Sequence, residues 1–225
     1  MEKLPLFTLA RTLEKGRCCL KIALISILFV PGLIASQSAF LQAKKPDDPR
    51  TVLKPRPKNL VKIYSIVKSN RPDMKESQVW KIANAILKES TRYMLDPILI
   101  LALIEVESKF QHAAVSPAGA RGLMQILPGT GKALLQEIGL VADLNANSFR
   151  PEFLDDPIVN IKLGIYYLQH LRKNFQSLDK ALIAYNLGPT ELKSRLDNNM
   201  VYPGGYATSV LDAYQKYKES QLPTF

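Results

Sequence analysis

Residues 96–109 read DPILILALIEVESK, and this stretch predicts a buried helix. Asp96 followed by Pro97 is typical of a helix start, because the aspartate side chain can accept hydrogen bonds from the first free amides and proline fits the first turn. The helix predicted over residues 98–109 is apolar almost all the way round as far as Ile104, so we expect it to lie in the core. Its last turn is polar and carries Glu105, Glu107 and Ser108.

The two glutamates of that last turn cannot act as a close pair. They lie two positions apart, so their side chains point about 200° away from each other around the helix. Glu107 lies one turn beyond Leu103 and Ile104. Apolar neighbours raise the pKa of a carboxyl, which makes Glu107 the candidate for an acid that stays protonated. A single glutamate at a helix end is more often a solvated surface group, and spacing alone does not separate the two interpretations.

Apolar residues at helical spacing predict further helices on both sides of this stretch. They cover residues 59–68, residues 75–93 with Asp73 near the start as the N-cap, residues 132–138, a long helix that begins at Asp156-Pro157, residues 178–186 and residues 206–217. The glycines and Pro128 of residues 116–131 predict a loop that holds a short helical turn. Strand-like alternation is absent from the sequence, so the predicted fold class is all-α.

The N-terminal part of the chain has the layout of a secretory signal. Basic residues over positions 1–21 precede the apolar run IALISILFVPGLI at positions 22–34, and small residues follow. The run is shorter than the roughly 20 residues of a comfortable membrane span, which favours a cleaved signal over a retained signal anchor or a buried core helix. The first two alternatives place the body of the chain in the periplasm or cell envelope, free or anchored in the inner membrane.

A proline-rich tether separates this segment from the body of the chain. Residues 44–58 read KKPDDPRTVLKPRPK, and such a mixture of prolines and charges predicts an extended segment. The sequence therefore divides into a signal peptide or signal anchor over 1–38, a tether over 39–58, a short helix and linker over 59–72, and the main domain over 73–225.

Composition excludes several classes of function. The formal net charge is +10, which suits partners such as nucleic acid, anionic lipid or the carboxylate-bearing bacterial wall. The basic residues are scattered rather than gathered on a recognition helix, so we expect no nucleic-acid binding. Cys18 and Cys19 lie in the N-terminal segment, and the only histidines, His112 and His170, stand far apart. The sequence therefore predicts no metal site, no cofactor and no thiol or histidine-assisted nucleophile.

Four motifs in a fixed order resemble those of the soluble lytic transglycosylases. From Ile104 the chain reads IEVESKFQHAAVSPAGARGLMQILPGT, with a Glu-Ser pair, a serine nine residues after the glutamate, Gly-Leu-Met-Gln and Pro-x-Thr. Residues 160–168 and residues 184–189 are similar to the second and third motifs of that family, and Tyr206 with its helix to the last. The resemblance covers roughly residues 76–218 and leaves the tether and residues 59–68 unexplained.

The resemblance implies a lysozyme-like helical domain of the goose-type and SLT kind. It assigns Glu107 as the catalytic acid and base, with Tyr185 and Asn186 as the pair that orients it. The implied substrate-binding residues are Ser108, Ser116, Met124, Gln125, Tyr185, Asn186 and Tyr206. Two stretches depart from the family pattern: relatives often carry a second methionine after the glutamine, where this chain has Ile126, and often a Glu-Thr pair where residues 202–205 read YPGG.

The resemblance also implies a reaction and a partner. The partner is the glycan strand of peptidoglycan, and the reaction cleaves the β-1,4 bond between N-acetylmuramic acid and N-acetylglucosamine without water, leaving a 1,6-anhydro sugar. One alternative is hydrolysis, as in goose-type lysozymes, which needs a second carboxylate. The candidates for that carboxylate are Asp143, Glu152, Asp155 and Asp156. Another alternative is a wall-binding protein with a dead site. The sequence leaves open whether the chain serves wall turnover, division or a secretion machine of the cell envelope.

Overall fold

The computed structural model describes residues 56–139 and 149–220. Within these residues the chain forms α-helices joined by short loops and one 3₁₀ helix over Pro151–Asp155. The α-helices are α1 (Lys58–Asn70), α2 (Glu76–Arg92), α3 (Pro97–Ser108), α4 (Pro128–Glu137), α5 (Pro157–Phe175), α6 (Leu178–Leu187), α7 (Pro189–Asp197) and α8 (Gly205–Glu219). The predicted all-α class is confirmed. The predicted signal or anchor and most of the tether lie outside the described residues.

Helix α3 lies at the centre of the fold. Asp96 caps it as predicted, since its Oδ1 accepts a hydrogen bond of 2.8 Å from the amide of Ile98. All positions from 98 to 104 are buried, and burial of each large aliphatic side chain contributes about 1.5–3 kcal/mol. The helix packs mainly against α8, and also against α1 and α2. The hydrophobic effect therefore holds the residues that follow Ile104 at a defined place relative to α8.

The helix start predicted at Asp156-Pro157 is also confirmed. Asp156 Oδ1 accepts hydrogen bonds from the amides of Ile158 and Val159, at 2.8 and 2.9 Å, at the start of α5. Helix α5 packs against α2 on one side and α6 on another, and it also contacts α4 and the 3₁₀ helix. It thus joins the central helices to the loop region that follows α3.

The prediction of Asp73 as the N-cap of α2 is wrong. Helix α2 begins at Glu76 after Lys75, with no side-chain capping bond, and the Asp73 carboxylate instead accepts two hydrogen bonds from Arg71. A turn closed by the bond of 3.1 Å from the Met74 amide to the Arg71 carbonyl delays the helix start, so Asp73 lies two residues before the N-cap position.

Three elements were missed or begin earlier than predicted. Helix α7 and the 3₁₀ helix were not predicted, and α4 begins at Pro128 instead of residue 132. Helix α7 buries only Leu192, so it lacks the apolar stripe on which the prediction of helices depends. Two isolated antiparallel bridges, Val115 with Arg121 and Arg121 with Ile126, organise the loop before α4.

Helix α1 is an integral part of the packing around α3. Ile63, Ile66 and Val67 are fully buried, and the helix contacts both α2 and α3. Tyr64 of α1 stacks on Trp80 with ring centroids 4.0 Å apart, and Arg56, which precedes α1, lies over the same indole ring at 3.6 Å. In the described part of the chain, no helix combines the length and apolar character needed to cross a membrane.

Candidate active site

A groove of about 390 Å³ runs along the end of α3. Its lining comes from the loop before α4 and the first turn of α4, over residues 116–130, and from the end of α6 with the start of α7. Glu107 lies in the groove together with four of the predicted binding residues, which are Ser116, Gln125, Tyr185 and Asn186. Residues far apart in sequence therefore meet around one carboxyl group.

The carboxyl of Glu107 is largely withdrawn from water. Burial raises the pKa of Glu107 from 4.5 to about 7, and a hydrogen bond from Tyr206 opposes this rise. The Tyr206 hydroxyl donates to Oε1 of Glu107. Burial is the main cause that raises the pKa of Tyr206, and the nearby charge of Glu107 raises it further. A carboxyl with a pKa near neutrality can both donate and accept a proton at physiological pH.

Glu105 faces a different part of the fold, as the helix geometry predicted. Its Oε1 lies 3.2 Å from Nζ of Lys216, and it contributes to raising the pKa of Tyr217. It is absent from the groove lining, whereas Glu107 is present. The two glutamates thus have separate surroundings.

The loop before α4 is held by the buried side chain of Asn160 from the first turn of α5. Oδ1 accepts the amide of Met124 at 2.7 Å, and Nδ2 donates to the carbonyls of Arg121 and Leu154 at 2.8 and 2.9 Å. Gly122 has a φ of +80°, and a Cβ atom there would overlap Asn160 Nδ2 and the Leu154 carbonyl oxygen. Only glycine fits this close approach without displacing the loop.

Two groove residues depend on this loop for their position. The Tyr185 hydroxyl donates to the carbonyl of Met124 at 2.8 Å. Gln125 adopts a φ of 45°, and its Nε2 donates to the carbonyls of Ala114 and Gly122 at 3.1 and 2.9 Å. The resemblance implied that Tyr185 orients the catalytic glutamate, but its hydroxyl bonds the loop, and the tyrosine that bonds Glu107 is Tyr206.

Three predicted substrate-binding residues, Ser108, Met124 and Tyr206, are not part of the groove lining. The Ser108 hydroxyl is buried within hydrogen-bonding distance of the carbonyls of Leu123 and Ile104, at 2.8 and 3.2 Å. Met124 has no exposed surface, and a Cβ at Gly164 would overlap its side chain. Ser108 and Met124 support the groove from behind, which a position in a sequence motif does not reveal.

The structure adds groove residues that the sequence reasoning did not place in the site. These are Thr130, Tyr167, Leu187 and Pro189. A signal for them was present, since each belongs to one of the motifs that carried the resemblance. Ala118, Ala120 and Leu127 also line the groove. They lie within the first motif stretch, but the resemblance assigned them no role.

The candidates for a second carboxylate serve other purposes or lie elsewhere. Asp155 forms a bidentate ion pair with Arg121, at 2.9 and 2.6 Å, and Asp156 caps α5. Glu152 is exposed on the 3₁₀ helix, and Asp143 lies outside the described residues. Within residues 56–139 and 149–220, Glu107 is the only carboxylate that lines the groove.

Comparison with known proteins identifies the family. The family model described as "Transglycosylase SLT domain" matches residues 84–203. The chain belongs to this family. Its SLT domain is 34% identical over 129 residues to the membrane-bound lytic murein transglycosylase C of Salmonella typhimurium, a match that covers 57% of this chain and 34% of the relative. The protein of that name from Mannheimia succiniciproducens is 30% identical over 140 residues, covering 61% and 35%. This chain therefore spans about a third of the length of these relatives.

A solved structure extends the comparison to the fold. The 70 kDa soluble lytic transglycosylase from Escherichia coli superimposes with a TM-score of 0.53 and 23% identity, over 70% of this chain and 28% of that one. The likeness confirms the helical, lysozyme-like SLT fold. Helix α1 and the loop that follows it, over residues 58–74, precede the part of the chain that the family model matches.

Proposed function

We propose that this SLT domain is a peptidoglycan lytic transglycosylase in which Glu107 acts first as the acid and then as the base. One observation carries the proposal: the carboxyl of Glu107, with a pKa of about 7, lies in a groove in contact with a tyrosine. Cleavage of a glycosidic bond requires a protonated acid beside the leaving oxygen. Near neutral pH, a large fraction of Glu107 is in that protonated form.

In the first step Glu107 donates its proton to the oxygen that leaves the anomeric carbon. The bond between that carbon and the leaving oxygen breaks, and the N-acetyl oxygen of the same sugar forms a bond to the carbon in its place. The substrate thus supplies the group that a second carboxylate supplies in ordinary glycosidases. The carboxylate left on Glu107 is stabilised by the hydroxyl of Tyr206.

In the second step the same carboxylate acts as the base. It accepts the proton of the sugar's 6-hydroxyl while that oxygen bonds to the anomeric carbon and displaces the N-acetyl oxygen. The product is a 1,6-anhydromuramic acid end, and no water is consumed. Glu107 returns to its protonated form, so one titratable group completes the cycle.

The alternative of hydrolysis requires a base that activates water on the other side of the sugar. Asp155 is held by Arg121 and Asp156 by the first amides of α5, so both are engaged outside the groove. These engagements favour the route that uses the substrate's own oxygens. A dead site is disfavoured by the raised pKa of Glu107, since an unused buried carboxyl only costs stability.

The cell envelope is the proposed location. The basic and apolar pattern of residues 1–34 has the layout of an export signal, and relatives of this domain are named membrane-bound. The proposed partner is the glycan strand of the wall. The wall carries carboxylates, which suit the net charge of +7 that remains without residues 1–38, where 25 basic residues face 18 acidic ones.

A product assay on purified peptidoglycan tests the proposal. Mass spectrometry of wild-type digests is expected to find anhydromuramic ends, and Glu107→Gln is expected to release none. Glu105→Gln is the matched control, because it makes the same change two residues away and outside the groove. Reducing muramic ends from the wild type would establish hydrolysis, and equal activity of Glu107→Gln would remove Glu107 from the mechanism.

A further inference from the structure

The chain makes a strained turn directly after the helix that carries Glu107. Lys109 and Phe110 both adopt the left-handed conformation, with φ of 49° and 61°. Consecutive non-glycine residues seldom adopt it, because the Cβ atom crowds the backbone at each one. Such strain persists only where surrounding contacts over-determine the backbone.

Two kinds of contact hold this turn in place. The Phe110 side chain is 1% exposed, which fixes the residue from the core side. Its carbonyl accepts a hydrogen bond of 2.9 Å from Nη1 of Arg71. The guanidinium is itself held by Asp73, with Nε and Nη2 at 2.9 and 2.7 Å from the two carboxylate oxygens. A guanidinium fixed in this way points Nη1 in one direction, so its hydrogen bond restrains the position of the Phe110 carbonyl.

Arg71 comes from a part of the chain that the family model does not match. It is the C-cap residue of α1, whereas the match begins at residue 84. Helix α1 is fixed to the core through Ile63, Ile66 and Val67. The guanidinium therefore reaches the end of the catalytic helix from a rigid neighbouring element.

We propose that Arg71 is a positioning residue for the catalytic acid: by bonding the Phe110 carbonyl, it maintains the turn after α3 and so the place of Glu107 in the groove. The inference rests on the proposed function. The backbone connects the two points directly, since the Lys109 amide bonds the Glu105 carbonyl and the Gln111 amide bonds the Ser108 carbonyl, both at 3.0 Å. If the turn relaxes, the last turn of α3 shifts with it.

The expected consequence is a misplaced and better hydrated acid. Displacement of the last helical turn separates Glu107 from Tyr206 and admits water to the carboxyl. Misplacement of a catalytic group by about 1 Å can lower a rate by about a hundredfold. Hydration also lowers the pKa of Glu107, because burial is the cause that raises it. Loss of the Arg71 charge by itself would act in the opposite direction, since removing a cation raises the pKa of a carboxyl.

Arg71→Gln tests the inference, with Arg195→Gln as the matched control. Arg195 also joins a carboxylate to a backbone carbonyl, since it contacts Glu191 at 2.7 Å and the Val201 carbonyl at 3.0 Å. We expect Arg71→Gln to lower kcat by about tenfold to a hundredfold with little change in KM, and to move the basic limb of the pH profile to lower pH. Arg195→Gln is expected to leave kcat and the pH profile unchanged.

A rescue variant separates positioning from general destabilisation. Glycine adopts the left-handed conformation freely, and Lys109 is exposed. Lys109→Gly in the Arg71→Gln background is therefore expected to recover most of the lost kcat and to return the pH limb toward its original place. A lowered melting temperature without a shifted limb, or no recovery with Lys109→Gly, assigns Arg71 a structural role only and overturns the inference.

An NMR titration of the Glu107 carboxyl carbon keeps this inference apart from the proposed function. If the wild type releases no anhydromuramic ends, the proposed function fails, yet a lower pKa of Glu107 in Arg71→Gln still supports positioning. If the wild type is active and Arg71→Gln matches Arg195→Gln in kcat, pH profile and titration, the positioning role alone is refuted.

Discussion

Replacing Glu107 by glutamine is expected to stabilise the fold at alkaline pH even as it removes the proposed catalytic acid. The folded state raises the pKa of Glu107 from 4.5 to about 7, so the folded protein binds this proton more tightly than the unfolded chain does. Glu107 therefore costs little stability below pH 4.5, and the cost grows as the pH rises through this range and is complete above pH 7. Glutamine removes the cost because it never ionises.

The size of the effect follows from the two pKa values. Each unit of difference between the folded and unfolded pKa corresponds to about 1.4 kcal/mol. Glu107 therefore costs about 3 kcal/mol of stability at pH 8 and less than about 1 kcal/mol at pH 5. The gain in unfolding free energy of Glu107→Gln over the wild type should thus grow by about 2.5 kcal/mol from pH 5 to pH 8. With a urea m-value of about 2 kcal/mol per molar, the midpoint of unfolding rises by about 1 M more at pH 8 than at pH 5.

Urea unfolding of wild type and Glu107→Gln at the two pH values measures this difference. Other groups that titrate in this interval are common to both proteins and cancel in the subtraction. Glu105→Gln, which removes a carboxylate paired with Lys216, is the control and should show no such gain at pH 8. An equal difference between wild type and Glu107→Gln at both pH values would mean that the carboxyl is hydrated, and the account of the site would be refuted.

Two further predictions concern the surroundings of Glu107. Tyr206→Phe removes the hydrogen bond that lowers the pKa of Glu107. This pKa should therefore rise above about 7, and the basic limb of the pH–rate profile should move to higher pH. The control Tyr214→Phe loses a tyrosine–carboxylate bond elsewhere on α8 and should leave the limb in place. Gly122→Ala should destabilise the fold by about 1–3 kcal/mol more than Gly119→Ala in thermal or urea unfolding. Both glycines have positive φ, but only Gly122 is crowded, so equal losses would contradict the close fit of the loop.

Local signals explain why much of the helix pattern could be predicted. Asp96 and Asp156 each precede a proline and an apolar helix, and both cap the helix that follows. Capping involves amides only two or three residues away, so it depends little on the rest of the fold. Asp73 has similar chemistry, but it lies two residues before the N-cap Lys75, and its carboxylate pairs with Arg71.

The family motifs gave the position of the acid but not the role of each supporting residue. Glu107, Ser116 and Gln125 reach the groove as expected. Ser108 and Met124 belong to the same motif, yet they face the core and hold the loop. A motif records which residue types occur together, whereas the direction of each side chain depends on the packing of several helices.

The chain alone predicted the all-α class from apolar spacing in several segments, and the capped helix α3 from Asp96-Pro97. The choice of Glu107 over Glu105 came from the resemblance of the motif that begins at Ile104. The raised pKa of Glu107, its contact with Tyr206 and the bond from Arg71 depend on the tertiary structure. Tyr206 is 99 residues from Glu107 and Arg71 is 39 residues from Phe110. Desolvation and hydrogen bonding act through space, so these properties arise only when the helices have packed together.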